Sequence, residues 1–173
     1  MNQATYAKHN ANAPFVFRIE REFKTSLATM WDAWTDPEQM AQWFGPKGCP
    51  VFHSTIDLRP DGLFHYGMRT PDGDEMWGKW LYKEIDRPNK LVSIVSFSGP
   101  DGRELTRHPW DPNWPLYVHS TVTFSENNGM VKVLVEWLAY EPSNAERERF
   151  AAGQPDMNEG WGGTLDQLQE FLG

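Results

Sequence analysis

Between Met30 and Gly48 the chain reads Met-Trp-Asp-Ala-Trp-Thr-Asp-Pro-Glu-Gln-Met-Ala-Gln-Trp-Phe-Gly-Pro-Lys-Gly. Trp31, Trp34, Trp43 and Phe44 fall within fourteen residues. Leu27, Met30, Trp31 and Trp34 are spaced i, i+3, i+4, i+7, one face of a helix that Thr25 or Ser26 caps. Asp36-Pro37-Glu38-Gln39 stops that helix and starts a second, with an acidic cap, proline at the first helical position and Gln three after the cap. Gly45-Pro46 ends it. Two short helices joined so tightly have little interior of their own. Their aromatic faces need a large apolar partner elsewhere in the chain.

Alternating runs separated by turn residues supply that partner. Phe15, Phe17, Ile19 and Phe23 share one face of a first strand. Four further strands are expected at Val51–Leu58, Leu63–Arg69, Met76–Ile85 and Leu91–Ser98, separated by Pro60-Asp61-Gly62, Pro71-Asp72-Gly73 and Asp86-Arg87-Pro88-Asn89. Asn128-Gly129 is a type I′ signal joining Leu116–Ser125 to Met130–Tyr140. Ser143-x-x-Glu146 forms a capping box for a short helix, and Asp156-x-x-Glu159 is read as the start of the last one. Met157, Trp161, Thr164, Leu165, Leu168 and Leu172 line a stripe of that final helix. The order is β-α-α-β-β-β-β-β-β-α, an α+β fold. A curved, seven-stranded antiparallel sheet wraps round the long C-terminal helix, and the two short helices close one end. Gly99 to Pro115 breaks the rhythm with four prolines and two tryptophans. An insertion of that length is expected to be functional, and Trp110 and Trp114 imply that it packs.

Composition limits the partners. The 173 residues suffice for one domain, expected over 14–173, with Met1–Ala13 as a flexible tail that lacks the blocks of a signal peptide. A single cysteine, Cys49, leaves no internal disulfide and suits the cytoplasm. No apolar run reaches the roughly 20 residues that a membrane span requires. Net charge is −8, and from Glu141 onward seven acidic residues face two arginines. Such a surface repels phosphate, which argues against nucleic-acid and anionic-membrane partners.

The ordered set Trp31-Asp-Ala-Trp34-Thr-Asp-Pro37, Trp43-Phe44-Gly-Pro46-Lys47-Gly48, Asp57-Leu-Arg-Pro-Asp-Gly62, Phe64-x-Tyr66-x-Met68, Pro71-Asp-Gly73, Glu84-Ile85, Leu91-Val92, Thr121-Val-Thr-Phe124 and Gly160-Trp-Gly-Gly163-Thr-Leu165 resembles the START/SRPBCC helix-grip superfamily. Within it, the chain is similar to the family named for the C-terminal domain of the activator of heat-shock-protein-90 ATPase. The resemblance spans about residues 15–172. It implies a cavity between the sheet and the last helix, often for a hydrophobic small molecule, in a family whose members include stress-related and resistance proteins. Fold alone does not fix function.

For ligand contact the expected residues are Trp43, Phe44, Phe64, Tyr66, Met68, Trp80, Trp114, Tyr117, His119, Trp161 and Leu165, with the 99–115 segment as a lid. Phe64, Tyr66 and Met68 alternate on one strand face. His119, with Tyr117 and Thr121, is the candidate polar patch, oriented by Glu136. Gly160, Gly162 and Gly163 interrupt the last helix, at roughly 1 kcal/mol each relative to alanine. Close packing of helix on sheet, with partial cavity room, is the expected reason. Trp77 and Trp80 have opposite parity in one strand, so only one can face inward without a bulge. His53, His65, His108 and His119 lack metal-ligand spacing, and no phosphate loop or nucleophile elbow is present, so neither a metal nor another cofactor is expected. The expected activity is binding of an apolar or aromatic molecule. The alternatives are a protein-interaction module, with a chaperone partner or a second copy as a homodimer, and an enzyme of the polyketide cyclase/aromatase type using His119.

Overall fold

The computed structural model describes residues 14–173, so the expected N-terminal tail lies outside the described residues. Seven strands form one antiparallel path, β1-β8-β7-β5-β4-β3-β2. They are β1 (Phe17–Lys24), β2 (Val51–Ile56), β3 (Leu63–Arg69), β4 (Glu75–Asp86), β5 (Lys90–Ser98), β7 (Val118–Asn127) and β8 (Met130–Ala139). A two-residue strand, β6 (Leu105–Thr106), pairs with β5 off this path. The helices are α1 (Leu27–Thr35), α2 (Pro37–Trp43), α3 (Asn144–Ala152) and α4 (Gln154–Leu172). The sheet curls round α4, which is the expected helix grip.

Each local signal has a visible cause. Ser26 Oγ accepts the Thr29 N–H at 3.1 Å and begins α1. Asp36 closes α1 through its own N–H and opens α2 by accepting the N–H groups of Glu38 and Gln39. Asn128 and Gly129 both take positive φ, as a type I′ turn requires. The last helix begins earlier than its acidic signal implied. Gly153 accepts the Met157 N–H through its carbonyl, and Pro155 presets the first turn, so Asp156 lies inside that turn and no side chain caps the helix. All three glycines at 160–163 are therefore in the helix interior.

Strand alternation sorts the tryptophans of β4. Trp80 is buried on the concave face. Trp77 lies on the convex face, its ring stacked on His65 at 5.2 Å and meeting Phe52 edge-on. The shift in register between Tyr82 and Glu84 comes after both, so it rescues neither parity. His65 Nε2 lies 3.3 Å from the Gly99 carbonyl, and Lys79 Nζ donates to the Gly102 carbonyl at 2.9 Å. Those two bonds fix the base of the 99–115 segment to the convex face.

At the centre, Trp34 is fully buried. Its ring lies 4.7 Å from Trp43, 5.6 Å from Phe124 and 6.4 Å from Trp80, and it stacks on Trp161 of α4 at 6.2 Å with 12° between planes. This is the apolar partner that the 30–48 stretch needed. Truncation here removes contacts to both short helices, the sheet and α4. Trp34→Ala is expected to lower unfolding free energy by about 3–5 kcal/mol in a denaturant titration, the usual range for a buried tryptophan. Trp34→Phe should cost markedly less. It keeps an aromatic ring and removes an indole N–H that has no hydrogen-bond partner among the described residues.

Candidate functional site

The grip is incomplete at the first half of α4. A cavity of about 540 Å³ lies between that half, the concave face and the inserted segment. This size is typical of small-molecule sites. The sheet contributes Tyr66, Met68, Met76, Trp80, Val95, Val118 and Trp137. Helix α4 contributes Met157, Gly160, Trp161 and Thr164, and the α2 exit turn contributes Phe44, Gly45 and Pro46. His108, Trp110, Asp111, Trp114 and Pro115 of the insertion, with Arg149 and Asp156, close the remaining side.

Each wall is positioned by specific interactions. Gly45 has φ of +102°, and its carbonyl accepts the Gln167 side-chain N–H at 2.6 Å. The Thr164 hydroxyl lies 2.9 Å from both the Gly45 and Gly160 carbonyls and donates its single proton between them. These bonds seat Phe44 at the end of the cavity. Trp137 donates its indole N–H to Ser120 Oγ at 2.9 Å, which turns its ring edge-on to Trp161 at 5.4 Å. Gly78 makes room for Tyr66: a Cβ there would collide with the phenol ring and its oxygen. Burial pushes the Tyr66 hydroxyl well above the ordinary phenol range, a shift that a side-chain bond with Trp80 only partly offsets.

The insertion is strapped to α3. Arg107 donates to Glu146 at 2.7 Å, and Arg149 Nε donates to Asp111 at 2.5 Å, with a second Arg149 nitrogen 3.6 Å from Asp156. Glu146 also completes the capping box with Ser143. Arg149 lies over the Trp114 ring at 5.9 Å, and Trp114 packs on Phe150. His108 Nδ1 accepts the Trp110 backbone N–H at 3.2 Å, so the neutral ring carries its proton on Nε2. Desolvation lowers the His108 pKa, and Arg149 adds to that effect against the opposing pull of Asp111.

Of the eleven residues expected to meet a ligand, Phe44, Tyr66, Met68, Trp80, Trp114 and Trp161 line the cavity. Five do not. Trp43 is buried with its N–H donated to the Ala33 carbonyl at 2.9 Å, so it locks α2 onto α1 instead. Phe64 points inward but sits behind Phe44 and Trp80, at 5.4 and 5.1 Å. Leu165 is sealed in the core one turn beyond Trp161. Tyr117 and His119 belong to the other face: in β7 the inward residues are Val118, Ser120, Val122 and Phe124. His119 instead pairs with Ile94 and Leu138 and lies near Tyr140, and Thr121 and Glu136 share its convex face. The cyclase/aromatase reading thereby loses its only named acid–base group.

One further expectation is corrected. The helix glycines do not serve close packing. Among the described residues, a Cβ on Gly160 or Gly162 would meet nothing within 4 Å, and on Gly163 nothing nearer than 3.7 Å. Gly160 faces the open cavity. Cys49 is half-buried, and burial raises its thiol pKa, which leaves it a poor nucleophile. Sequence reasoning did not place Arg149, Asp111, His108 or Trp137 at the cavity. The Asp111-x-x-Trp114 turn was visible as a loop, but its partner on α3 is 38 residues away.

A curved antiparallel sheet that grips a long C-terminal helix and leaves a chamber beside it defines a helix-grip protein. The chain belongs to the family described as activator of Hsp90 ATPase homolog 1-like proteins, whose model matches residues 24–173. Its fold is similar to that of a Nitrosomonas europaea protein (21% identity, 93% of this chain and 96% of that one, TM-score 0.72). An Arthrobacter aurescens protein is similar at 25% identity over 91% of this chain and 85% of that one, TM-score 0.74. DynU16, from the dynemicin biosynthetic locus, shares the fold at 17% identity and TM-score 0.58 over 91% of this chain and 46% of its own. A comparison with curated proteins finds no match. No helix among the described residues is long and apolar enough to cross a membrane.

The strap makes the cover of the cavity acid-sensitive. The hydrogen bond from Arg107 lowers the Glu146 pKa despite its partial burial. For Asp111, desolvation pulls upward, but Arg149 and the Asn113 N–H together outweigh it and the pKa is lowered. Carboxylates with depressed folded values stabilise fully above their ordinary range, about pH 4–4.5, and lose that contribution as pH falls through the folded values. Acrylamide quenching of tryptophan fluorescence is therefore expected to stay flat from pH 7 to about 5 and rise below about 4. In Glu146→Gln the same rise should be weaker, because one of the two titrating bridges is gone.

Proposed function

We propose that the protein holds an apolar, aromatic small molecule in the chamber between the sheet and α4, with the 99–115 segment as its cover. The observation that carries this reading is Gly160. A residue that weakens an interior helix by about 1 kcal/mol relative to alanine borders empty space instead of a packed neighbour. Its benefit is room. Five of the nine tryptophans (Trp80, Trp110, Trp114, Trp137 and Trp161) surround that room, together with Phe44, Tyr66 and Phe97. Flat, rigid rings of this kind suit a flat or ring-bearing ligand, which they contact over a large area at small entropic cost.

The strap supports the role of the insertion. Two ion pairs and the Trp114–Phe150 contact hold its second half to α3, while Trp110 remains 64% exposed at the chamber's edge. Binding would bury that ring. Any stress- or resistance-related role would follow from sequestering the ligand.

Gly160→Leu tests the reading. The added side chain starts from a Cβ position that borders the chamber with no described neighbour within 4 Å, so it takes up ligand space, and helix propensity improves. Thermal stability is expected to hold or rise by the equivalent of up to about 1 kcal/mol. Saturable fluorescence enhancement of N-phenyl-1-naphthylamine, a neutral aromatic probe, should be present in the wild type and weakened by about tenfold or more in the variant, some 1.4 kcal/mol. Equal binding by both proteins would place the probe elsewhere and remove the proposal's support.

A further inference from the structure

Charge balance inside the chamber narrows the ligand further. Arg149 is the only basic side chain on the wall among the described residues, and it is already committed. Its Nε bonds Asp111 at 2.5 Å, another nitrogen faces Asp156 at 3.6 Å, and its guanidinium lies over Trp114. An anionic ligand would have to displace those carboxylates to reach it. Against that one positive charge stand two aspartates, so the wall carries a net charge of one negative. His108 adds no charge in its neutral form.

The remaining wall is predominantly aromatic. Ring quadrupoles present negative faces, and rings packed around a desolvated space attract a diffuse cation. A compact, strongly hydrated cation would lose too much solvation on entering so apolar a chamber. An organic cation whose charge is spread over apolar substituents loses little. The placement of Arg149 over Trp114 shows the same interaction already made within the chain.

Resting on the small-molecule reading above, we propose that the chamber selects lipophilic organic cations, such as quaternary or aromatic amines, over neutral and anionic molecules of the same shape. The aromatic rings take the apolar body and spread the charge, and Asp156 at the rim of α4 supplies the counter-charge. Asp156 fits this role because it lines the chamber, its side chain is 77% exposed, and Arg149 comes no nearer to it than 3.6 Å.

Tetraphenylphosphonium and tetraphenylborate, near-identical in shape and opposite in charge, provide the test. Each would displace N-phenyl-1-naphthylamine from the full chain at about 0.15 M salt, where the field of the distant surface charges is largely screened. The phosphonium is expected to act at a concentration about tenfold lower than the borate. Asp156→Asn should shrink that preference about threefold, and Gly160→Leu should abolish displaceable phosphonium binding. Borate that competes as well as phosphonium, with the naphthylamine still bound and still sensitive to Gly160→Leu, would overturn the cation preference and leave the chamber reading standing. Phosphonium binding that survives Gly160→Leu would mean attraction to the acidic surface and would also overturn it. Loss of naphthylamine binding altogether would overturn both.

Discussion

The stack of Trp34 on Trp161 holds this structure together. This pair of rings joins the closing helices to the axial helix, and Trp137 meets Trp161 from the sheet side. The column therefore crosses all three layers. Thr164 and Gln167, one to two turns further along α4, tie the helix to the Gly45 carbonyl. Together these contacts fix where α4 lies over the sheet. Because they grip the middle and the far end, the first two turns of α4 are held away from the concave face, and the chamber occupies that gap.

What closes the gap follows from sheet topology. Strand β5 extends past Val95, where its pairing to β7 ends, as far as Ser98. Its last residues have an unpaired edge, and β6 of the insertion takes it at Phe97 and Ser98. An unpaired edge left open is a liability. Filling it with a segment that then crosses to α3 turns that requirement into a cover. Glu146 links the two tasks, since the same carboxylate caps α3 and accepts Arg107. On the convex side, His65 and Lys79 fix the start of the segment. The insertion is thus held at both ends, while Trp110 in its middle stays exposed.

Much of the fold was legible from residues alone. The caps at Ser26, Asp36 and Ser143, the Asn128-Gly129 turn and the alternation of Phe64, Tyr66 and Met68 are local signals, and local chemistry settles them. Parity also gave the separation of Trp77 from Trp80. Errors arose where parity had to be combined with an unknown reference face. Reading β7 from His119 instead of Val118 reversed the whole strand, because a shift of one residue moves every side chain to the other side. Trp43 and Phe44 are adjacent, but a helix end separates them: Trp43 finishes α2 and turns inward, while Phe44 is extended and reaches the chamber.

The sequence by itself determined the order of the main strands and helices, the placing of the 30–48 stretch at one end of the sheet, and the acidic charge of the chain. These depend on periodicity, capping and composition, which act over a few residues. Only the tertiary structure decided that Gly160 faces empty space while Leu165 is sealed, that His119 lies outside, and that Arg149 meets Asp111 and Trp114. Each of these depends on distances between segments tens of residues apart. Such distances are set by how large rings stack across layers, and no local pattern in the chain records them.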